Sequence, residues 1–430
     1  MTCTICKTCS GDQERLRLKR RRIYKEPAAF QETSFDIDSS IYTLQQYFQP
    51  VTHFNLSLFN APLSIFTMHF AYALPLFSLV AALPQPQNLN FAAIAAAPLP
   101  SVTGPPVVGN QNQIVYNGTS AASSATSAIA TASLNQKRSP VAAPAASSTP
   151  VNVNADCAAQ PNLNGPTAIP NTVSGFENYP VFQAVALAAA VMPPMGYSDA
   201  FVNYNGSMTG AGYLGYYSLA NYNVQQCAAY CNSVSTCLSF NIFYERDPTV
   251  NPANSCPNPA AGTAIKCSLW GVPSTKAAAS NFGQYRDQFQ VVIAGSNAYN
   301  LVSPQAAALP SFNAADYLAG AINNAASYIG SEYYNQPYDP SVCSAVCQAT
   351  TAQNQAAAKA AGLSTYTPCN YFNSYVLSQN GAATGMYCTF YSAAVSKSFG
   401  TNTGASSNGI SYAFSNSLGY ALSVVDPGHF

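Results

Sequence analysis

Charged side chains are scarce in this chain: they make up 7% of its 430 residues, and the formal net charge is zero. Residues 1–138 carry ten Lys and Arg against six Asp and Glu, whereas residues 139–430 carry six against ten. The larger part therefore lacks the Lys/Arg stripe that nucleic-acid binding needs, and we expect no nucleic-acid partner. A charge-poor surface rich in uncharged polar and aromatic residues suits an extracellular protein that faces sugars or a wall matrix.

Histidine is almost absent, with three residues in the whole chain: His53, His69 and His429. None lies in the cysteine-rich region, which excludes a His general base or a His metal site there. No Gly-rich phosphate loop follows a strand, and the cysteines are expected in disulfides rather than as nucleophiles. We therefore predict a non-enzyme without cofactor or metal.

Charge is missing altogether from Ser39 to Gln136. Within this run, residues 68–82 begin with Met68, continue as a short apolar core and end in small residues. This order predicts a secretory signal peptide, which makes residues 1–67 a doubtful N-terminal extension. The alternative takes Met1 as the start, so that the apolar stretch 54–83 becomes a signal anchor behind a basic cluster. On the first interpretation the mature protein has no membrane span and is secreted or associated with the cell wall.

Two segments of low complexity follow the predicted signal peptide. Residues 83–138 are rich in Pro, Ala, Ser and Thr and end in Lys137-Arg138, which predicts a pro-segment with a dibasic processing site. The alternative is that the pair is two solvated charges in a linker. Residues 139–195 contain nine prolines and are predicted to be a linker, because such sequence buries too little apolar surface to offset its ordering entropy. We thus expect a long disordered N-terminal region.

The remaining chain repeats one pattern twice, which defines its structural unit. The pattern is a Cys-x-x-x-Cys pair, then Cys-x-x-Phe-Asn, then a cysteine before an aromatic residue. Asn223 and Asp339 precede the paired cysteines as helix N-caps, and alternating aromatic-rich runs predict antiparallel strands. The sequence therefore predicts an α+β fold with modules at 196–300 and 326–420, a linker at 301–325 and a tail at 421–430. The repeated cysteines are Cys227, Cys231, Cys237 and Cys267, then Cys343, Cys347, Cys369 and Cys388.

A helix with Cys-x-x-x-Cys, a strand with Cys-x-x-Phe-Asn and a strand with Cys-x-Leu-Trp together resemble the apple/PAN module. More closely, Phe240–Pro248 and Val291–Asn297 are similar to an uncharacterised family of secreted ascomycete fungal proteins with tandem apple-like modules. The resemblance implies that each module is an antiparallel sheet packed on one helix. It also implies the disulfides Cys227–Cys267, Cys231–Cys237, Cys343–Cys388 and Cys347–Cys369, and it leaves Cys157 and Cys256 to pair by elimination.

Tyrosine is abundant, with 28 residues, and it clusters around each predicted helix. Such rings beside amide side chains can stack on sugars, although core packing explains most of them equally well. The predicted ligand-binding residues are Tyr216, Tyr217, Tyr222, Glu245, Arg246, Tyr334 and Tyr338. Glu245 and Asp247 are either an ion-pair cluster at the sheet end or, as a weak alternative, the acid pair of a glycoside hydrolase. Asn205-Gly206-Ser207 is a predicted N-glycosylation site.

These patterns lead to one functional interpretation and one main rival. The first is a secreted, non-enzymatic glycoprotein that binds carbohydrate, with a cell-wall polysaccharide or glycoprotein as its partner. The rival is a structural or adhesion-type wall protein whose modules bind another protein.

Overall fold

The computed structural model describes residues 89–106, 113–131, 154–323 and 326–430. These residues form a mixed α+β structure of antiparallel sheets with few helices, as the sequence predicted. The predicted extension at 1–67, the signal peptide at 68–82 and the pair Lys137-Arg138 lie outside the described residues.

The helices of the described residues divide between the two modules and the segments before them. In chain order they are α1 (Phe91–Ala96), α2 (Gly118–Thr131), α3 (Val173–Glu177), α4 (Pro180–Val191), α5 (Val224–Asn232) and α6 (Pro340–Ala360).

Six strands form the antiparallel sheet of the first module, in the order β1-β3-β5-β4-β8-β2. A separate two-stranded hairpin, β6–β7, lies between its last two strands along the chain. The bounds are β1 (Gln113–Ile114), β2 (Tyr197–Tyr204), β3 (Tyr213–Ser218), β4 (Ser239–Pro248), β5 (Ala261–Trp270), β6 (Tyr285–Arg286), β7 (Phe289–Gln290) and β8 (Val292–Leu301).

The second module repeats this arrangement in a sheet ordered β11-β13-β12-β16-β15, with β9 paired to β16. The segment 301–325, predicted as a linker, contributes β9 and β10, and the latter pairs with β14. The bounds are β9 (Asp316–Tyr317), β10 (Ala321–Ile322), β11 (Tyr328–Tyr334), β12 (Tyr371–Gln379), β13 (Ala382–Tyr391), β14 (Gly400–Asn402), β15 (Gly404–Ser407) and β16 (Ile410–Ala421).

One helix packs on one face of each sheet, as the cysteine spacing indicates. In α5 the buried residues recur every three or four positions, the period of a helix face that packs on a core: Val224, Cys227, Ala228 and Cys231. The Asn223 side chain caps α5 by accepting from Gln226 N, and Asp339 caps α6 with Pro340 at its first position. Both N-caps are therefore confirmed.

Five disulfides join the cysteine pairs that were expected. Cys227–Cys267 and Cys231–Cys237 fasten α5 to its sheet, and Cys343–Cys388 and Cys347–Cys369 do the same for α6. Cys157–Cys256 closes a separation of 99 residues. Because a cross-link restricts the unfolded chain, each pair contributes about 2–4 kcal/mol to stability.

One of the hydrophobic clusters spans both modules. Trp270 and Val272 of the first module belong to the same buried cluster as Tyr334 and Val342 of the second. At the junction Gly271 is needed for space, because a Cβ there would lie 2.7 Å from the Pro337 Cβ. The described repeats are thus halves of one packed body.

Residues 89–106 and 113–131, here called the docking segment, are packed against both modules, which corrects the expectation of disorder. Leu89 and Ile94 are buried in a cluster with second-module aromatics. Strand β1 pairs with β3, and α2 packs on α6 through the residues Ala121, Ala125 and Ile129, which are buried at four-residue spacing. Two of these contacts are alanines, so the helix carries no bulky apolar stripe that the sequence could have revealed.

Residues 154–195 also carry packed structure, although the whole of 139–195 was predicted to be an unpacked linker. Phe176 of α3 and Phe182 of α4 are fully buried in the first-module core, and their rings lie 4.8 Å apart. A few large aromatic residues thus supply the burial that the average composition seemed to exclude.

Candidate functional site

Most of the tyrosines predicted to bind a ligand are core residues. Tyr216, Tyr334 and Tyr338 are buried, so solvent does not reach their ring faces. Tyr222 is half-buried, and its hydroxyl donates to the Gly295 carbonyl at 2.7 Å. Burial raises the pKa of the Tyr216, Tyr222 and Tyr338 hydroxyls, so all three stay neutral.

Tyr217 is the predicted aromatic residue with the clearest surface position. It is half-buried, and its ring stacks on Tyr230 of α5 with centroids 3.8 Å apart and planes 5° apart. The Tyr230 hydroxyl accepts from Gln226 Nε2 at 3.0 Å. One face of each ring is therefore covered by the other ring, and at most one face of each remains for a ligand.

Glu245 and Asp247 form a buried ion cluster with Lys266. All three side chains are at most 5% exposed; Lys266 Nζ bonds Glu245 Oε1 directly and lies 3.9 Å from Asp247 Oδ2. The Lys266 Nζ also donates to the Pro106 carbonyl of the docking segment at 2.8 Å. This placement gives the hydrolase alternative no support, because an acid pair must reach both sides of a glycosidic bond.

The pKa directions in this cluster follow from burial and neighbouring charge. Burial first, and the Glu245 charge second, raise the pKa of Asp247 well above its usual value. For Lys266, burial alone would lower the pKa, but the two carboxylates outweigh it and the pKa is raised. Lys266 is therefore a buried cation that the carboxylates hold in place.

Arg246 points away from that cluster, to the opposite face of the sheet. Its guanidinium carbon lies 4.4 Å from the Phe289 ring centroid, and Nη1 donates to the Gln290 carbonyl at 2.7 Å. Burial lowers its pKa. Arg246 and Glu245, predicted to act together, therefore do not converge on one ligand.

A cleft of about 580 Å³ lies where the docking segment, both modules and the chain between them meet. Its walls come from residues within 114–119, 234–238, 304–310 and 338–341, together with Tyr317 of β9, Leu318 and residues 416–418 of β16. This volume is in the range of small-molecule sites, which bury most of a ligand in a preformed concavity. Tyr338 is the one predicted ligand-binding residue that lines this cleft.

The floor of the cleft is a closed hydrogen-bonded group centred on Asp339. Tyr116 of the docking segment donates its hydroxyl to Asp339 Oδ2 at 3.0 Å, and Ser341 donates to Oδ1 at 2.6 Å. Burial, and next the Asp339 charge, raise the pKa of Tyr116. The tyrosine thus remains a neutral donor that satisfies the buried carboxylate.

The cleft combines a largely apolar wall with a few polar and aromatic groups, and no positive charge lines it among the described residues. Tyr317 is 60% exposed, and its hydroxyl accepts from Ala306 N at 2.9 Å, which fixes the ring. Gln305 and the half-buried Asn416 add amide groups beside it. Among the described lining residues there is no Lys, Arg or His, and Asp339 is the one carboxylate. The arrangement suits a neutral ligand with both an apolar face and hydroxyls, because the apolar wall and the ring pack on the face and the amides pair with the hydroxyls.

Sequence reasoning missed Tyr116, Tyr317 and Asn416, which lie in three separate segments of the chain. Tyr116 is an isolated aromatic residue next to an Ala/Ser-rich stretch. That isolation is the one feature of the sequence that could have marked it as a site residue. No pattern links these positions, because the cleft exists only after the docking segment has packed.

No protein-family model matches this chain, and no curated protein or solved structure matches it significantly. The resemblance to apple/PAN modules therefore stays a prediction. Within the described ranges, no helix has both the length and the apolar character that crossing a bilayer requires.

Proposed function

We propose that this protein is a secreted, non-enzymatic binding protein of the fungal cell wall or extracellular space, and that it holds a neutral carbohydrate in the cleft. The observation that carries the proposal is the cleft itself: about 580 Å³, with an exposed ring at Tyr317 and amides at its mouth, and no cation among its described lining residues. A wall polysaccharide or the glycan of a glycoprotein is the proposed partner, and the modules are of the apple/PAN type.

The five disulfides support export, since such bridges form and persist outside the reducing cytosol. Translation from Met68, signal cleavage after residue 82 and processing after Lys137-Arg138 belong to the same proposal, in which the cut docking segment stays bound to the modules through the contacts described above. N-terminal sequencing of protein from culture supernatant tests them together. A first residue at or before position 67 would refute the start at Met68.

Retention on insoluble chitin, β-glucan and mannan tests the binding function. We expect the native protein to be retained on at least one of them and Tyr317→Ala to reduce that retention about fivefold, because loss of a stacked ring costs roughly 1 kcal/mol. The matched control is Tyr285→Ala: Tyr285 is 68% exposed and does not line the cleft. No retention of the native protein, or equal losses in both variants, would refute the proposal.

A second candidate function is protein interaction, the alternative drawn from the sequence. At the end of α4 and just beyond it, Leu187, Val191, Met192 and Met195 are 53%, 80%, 74% and 95% exposed. Exposed apolar groups in close succession are typical of a surface that another protein covers. Sedimentation velocity of the native protein and of Val191→Asp tests this: association that the variant abolishes supports it, and monomers in both cases at high concentration count against self-association.

A further inference from the structure

Among the residues that the structure describes, a second Asn-x-Ser/Thr triplet, Asn117-Gly118-Thr119, lies at the start of α2. Both Asn117 and Thr119 are exposed. The Asn117 Oδ1 accepts from Ser120 N at 3.0 Å, and its backbone carbonyl accepts from Ala121 N at 3.0 Å. Asn117 is therefore the N-cap of α2, and its cap interaction uses the oxygen of the side-chain amide.

N-linked glycosylation of Asn117 is compatible with this cap. The Nδ2 atom forms a bond to C1 of the first sugar, the C1–phosphate bond of a lipid-linked oligosaccharide donor breaks, and the amide proton leaves with the lipid diphosphate. The modified side chain keeps Oδ1 as an acceptor, so the bond from Ser120 N is retained. The folded protein can thus carry the glycan without losing a helix cap.

The triplet at Asn205 has a less favourable setting. Asn205 is half-buried, and its Nδ2 lies 3.5 Å from the Glu177 carbonyl. Ser207 is fully buried and accepts from Asn281 Nδ2 at 2.9 Å. A sugar on Asn205 would displace the contact with the Glu177 carbonyl and would have to fit between packed neighbours. A glycan at this position therefore lowers the stability of the folded chain.

We propose that Asn117 is an N-linked glycosylation site and that its glycan stands at the rim of the cleft. The rim position follows because Tyr116, Gly118 and Thr119 all line the cleft. The inference rests on the export part of the proposed function, since only an exported chain meets the transferase. It does not depend on carbohydrate binding in the cleft.

Peptide mass spectrometry of protein from culture supernatant tests the proposal. After enzymatic release of N-glycans, which converts the modified Asn to Asp, we expect position 117 to read as Asp in most molecules. Thr119→Ala should remove one glycan from the mass of the polypeptide that contains residue 119, cut or uncut at Lys137-Arg138, while leaving the Asn117 cap untouched. The matched variant Thr119→Ser keeps the triplet and should keep the glycan.

The outcomes separate this proposal from the others. Secreted protein with an unmodified Asn117 overturns the glycan site while leaving export intact. Protein that stays inside the cell with Asn117 unmodified overturns both export and the glycan site. Loss of polysaccharide retention alone affects neither. The mass difference between the native protein and Asn205→Gln gives the mass of any glycan on Asn205. A glycan there is therefore not mistaken for one on Asn117.

Discussion

The two modules differ in the residues that they place at equivalent positions of their sheets: charged in the first module and uncharged in the second. When Phe240-Asn241 is aligned with Phe372-Asn373 and Cys267 with Cys388, Lys266 corresponds to Tyr387 and Glu245 to Leu377. The first module therefore buries an ion cluster where the second buries Leu and Tyr.

Both positions nevertheless contact the backbone of the docking segment. Lys266 Nζ donates to the Pro106 carbonyl at 2.8 Å, whereas the Tyr387 hydroxyl accepts from Asn90 N at 2.9 Å. The equivalent sheet faces thus both hold the segment, one by donating and one by accepting. The comparison indicates that the position of Lys266 and Tyr387 needs a side chain that ends in a hydrogen-bonding group, but that this group need not be charged.

The largest effect should come from breaking the ion cluster. Lys266→Met leaves Glu245 and Asp247 buried without their cation, and we expect the free energy of unfolding in urea to fall by about 3–5 kcal/mol. A change below about 1 kcal/mol would contradict the argument that the cluster is a coupled unit.

Grafting the second module's residues into the first sharpens this test. Glu245→Leu, Asp247→Gln and Lys266→Tyr together remove every charge of the cluster. We expect the triple variant to recover most of the stability that Lys266→Met loses, because apolar replacement of a buried ion group is often neutral or stabilising, by about 1–4 kcal/mol. A triple variant less stable than Lys266→Met would show that the two sheets are not interchangeable.

The disulfide that the second module lacks provides the next comparison. Cys157 and Cys256 are half-buried, whereas the other bonded cysteines are at most 5% exposed. We expect a dilute thiol to open Cys157–Cys256 first, because exchange requires access to a sulfur. Timed alkylation and mass spectrometry measure the order, and Cys157→Ser/Cys256→Ser should lower the free energy of unfolding by about 2–4 kcal/mol. Earlier opening of a second-module disulfide would be the contrary result.

Acid should affect the first module through Asp247. Its pKa is raised in the native state, first by burial and then by Glu245, so the folded protein binds this proton more tightly than the unfolded chain. As pH falls from the raised pKa toward about 3.9, this group therefore adds stability, at about 1.4 kcal/mol for each pKa unit of difference. The advantage of the native protein over Asp247→Asn should grow between pH 7 and pH 4 in urea unfolding, and a shrinking advantage would reverse the assigned sign.

The smallest expected effect is at Tyr387. Tyr387→Phe removes a hydroxyl that accepts from Asn90 N and contacts Ser331 Oγ at 3.1 Å. We expect a loss of about 1 kcal/mol in the free energy of unfolding, the usual contribution of a neutral hydrogen bond. A loss as large as that of Lys266→Met would remove the contrast between charged and neutral contacts.

The sequence predicted the features that depend on local spacing. The cysteines four apart, the Asn223 and Asp339 caps and the alternating runs determine the modules because each signal lies within one element. The docking segment and the cleft depend on contacts between distant parts of the chain. Ala121 and Ala125 pack on α6 without the bulky apolar stripe that would have announced the contact, and Tyr116 and Tyr317 line one cleft only in the folded chain.

The docking segment has a consequence for how the protein is made. Asn90 is translated 297 residues before its partner Tyr387, and Ile129 is translated 224 residues before Gln353. At about 5–20 residues per second, a ribosome takes roughly 15 to 60 s to cover the longer distance. During that interval the parts of the segment that contact the second module have no surface to bind, and Asn117 stays open to a membrane-bound transferase. If a nascent chain is released before β13 has emerged, the start of its docking segment lacks the second-module residues that it contacts in the complete fold.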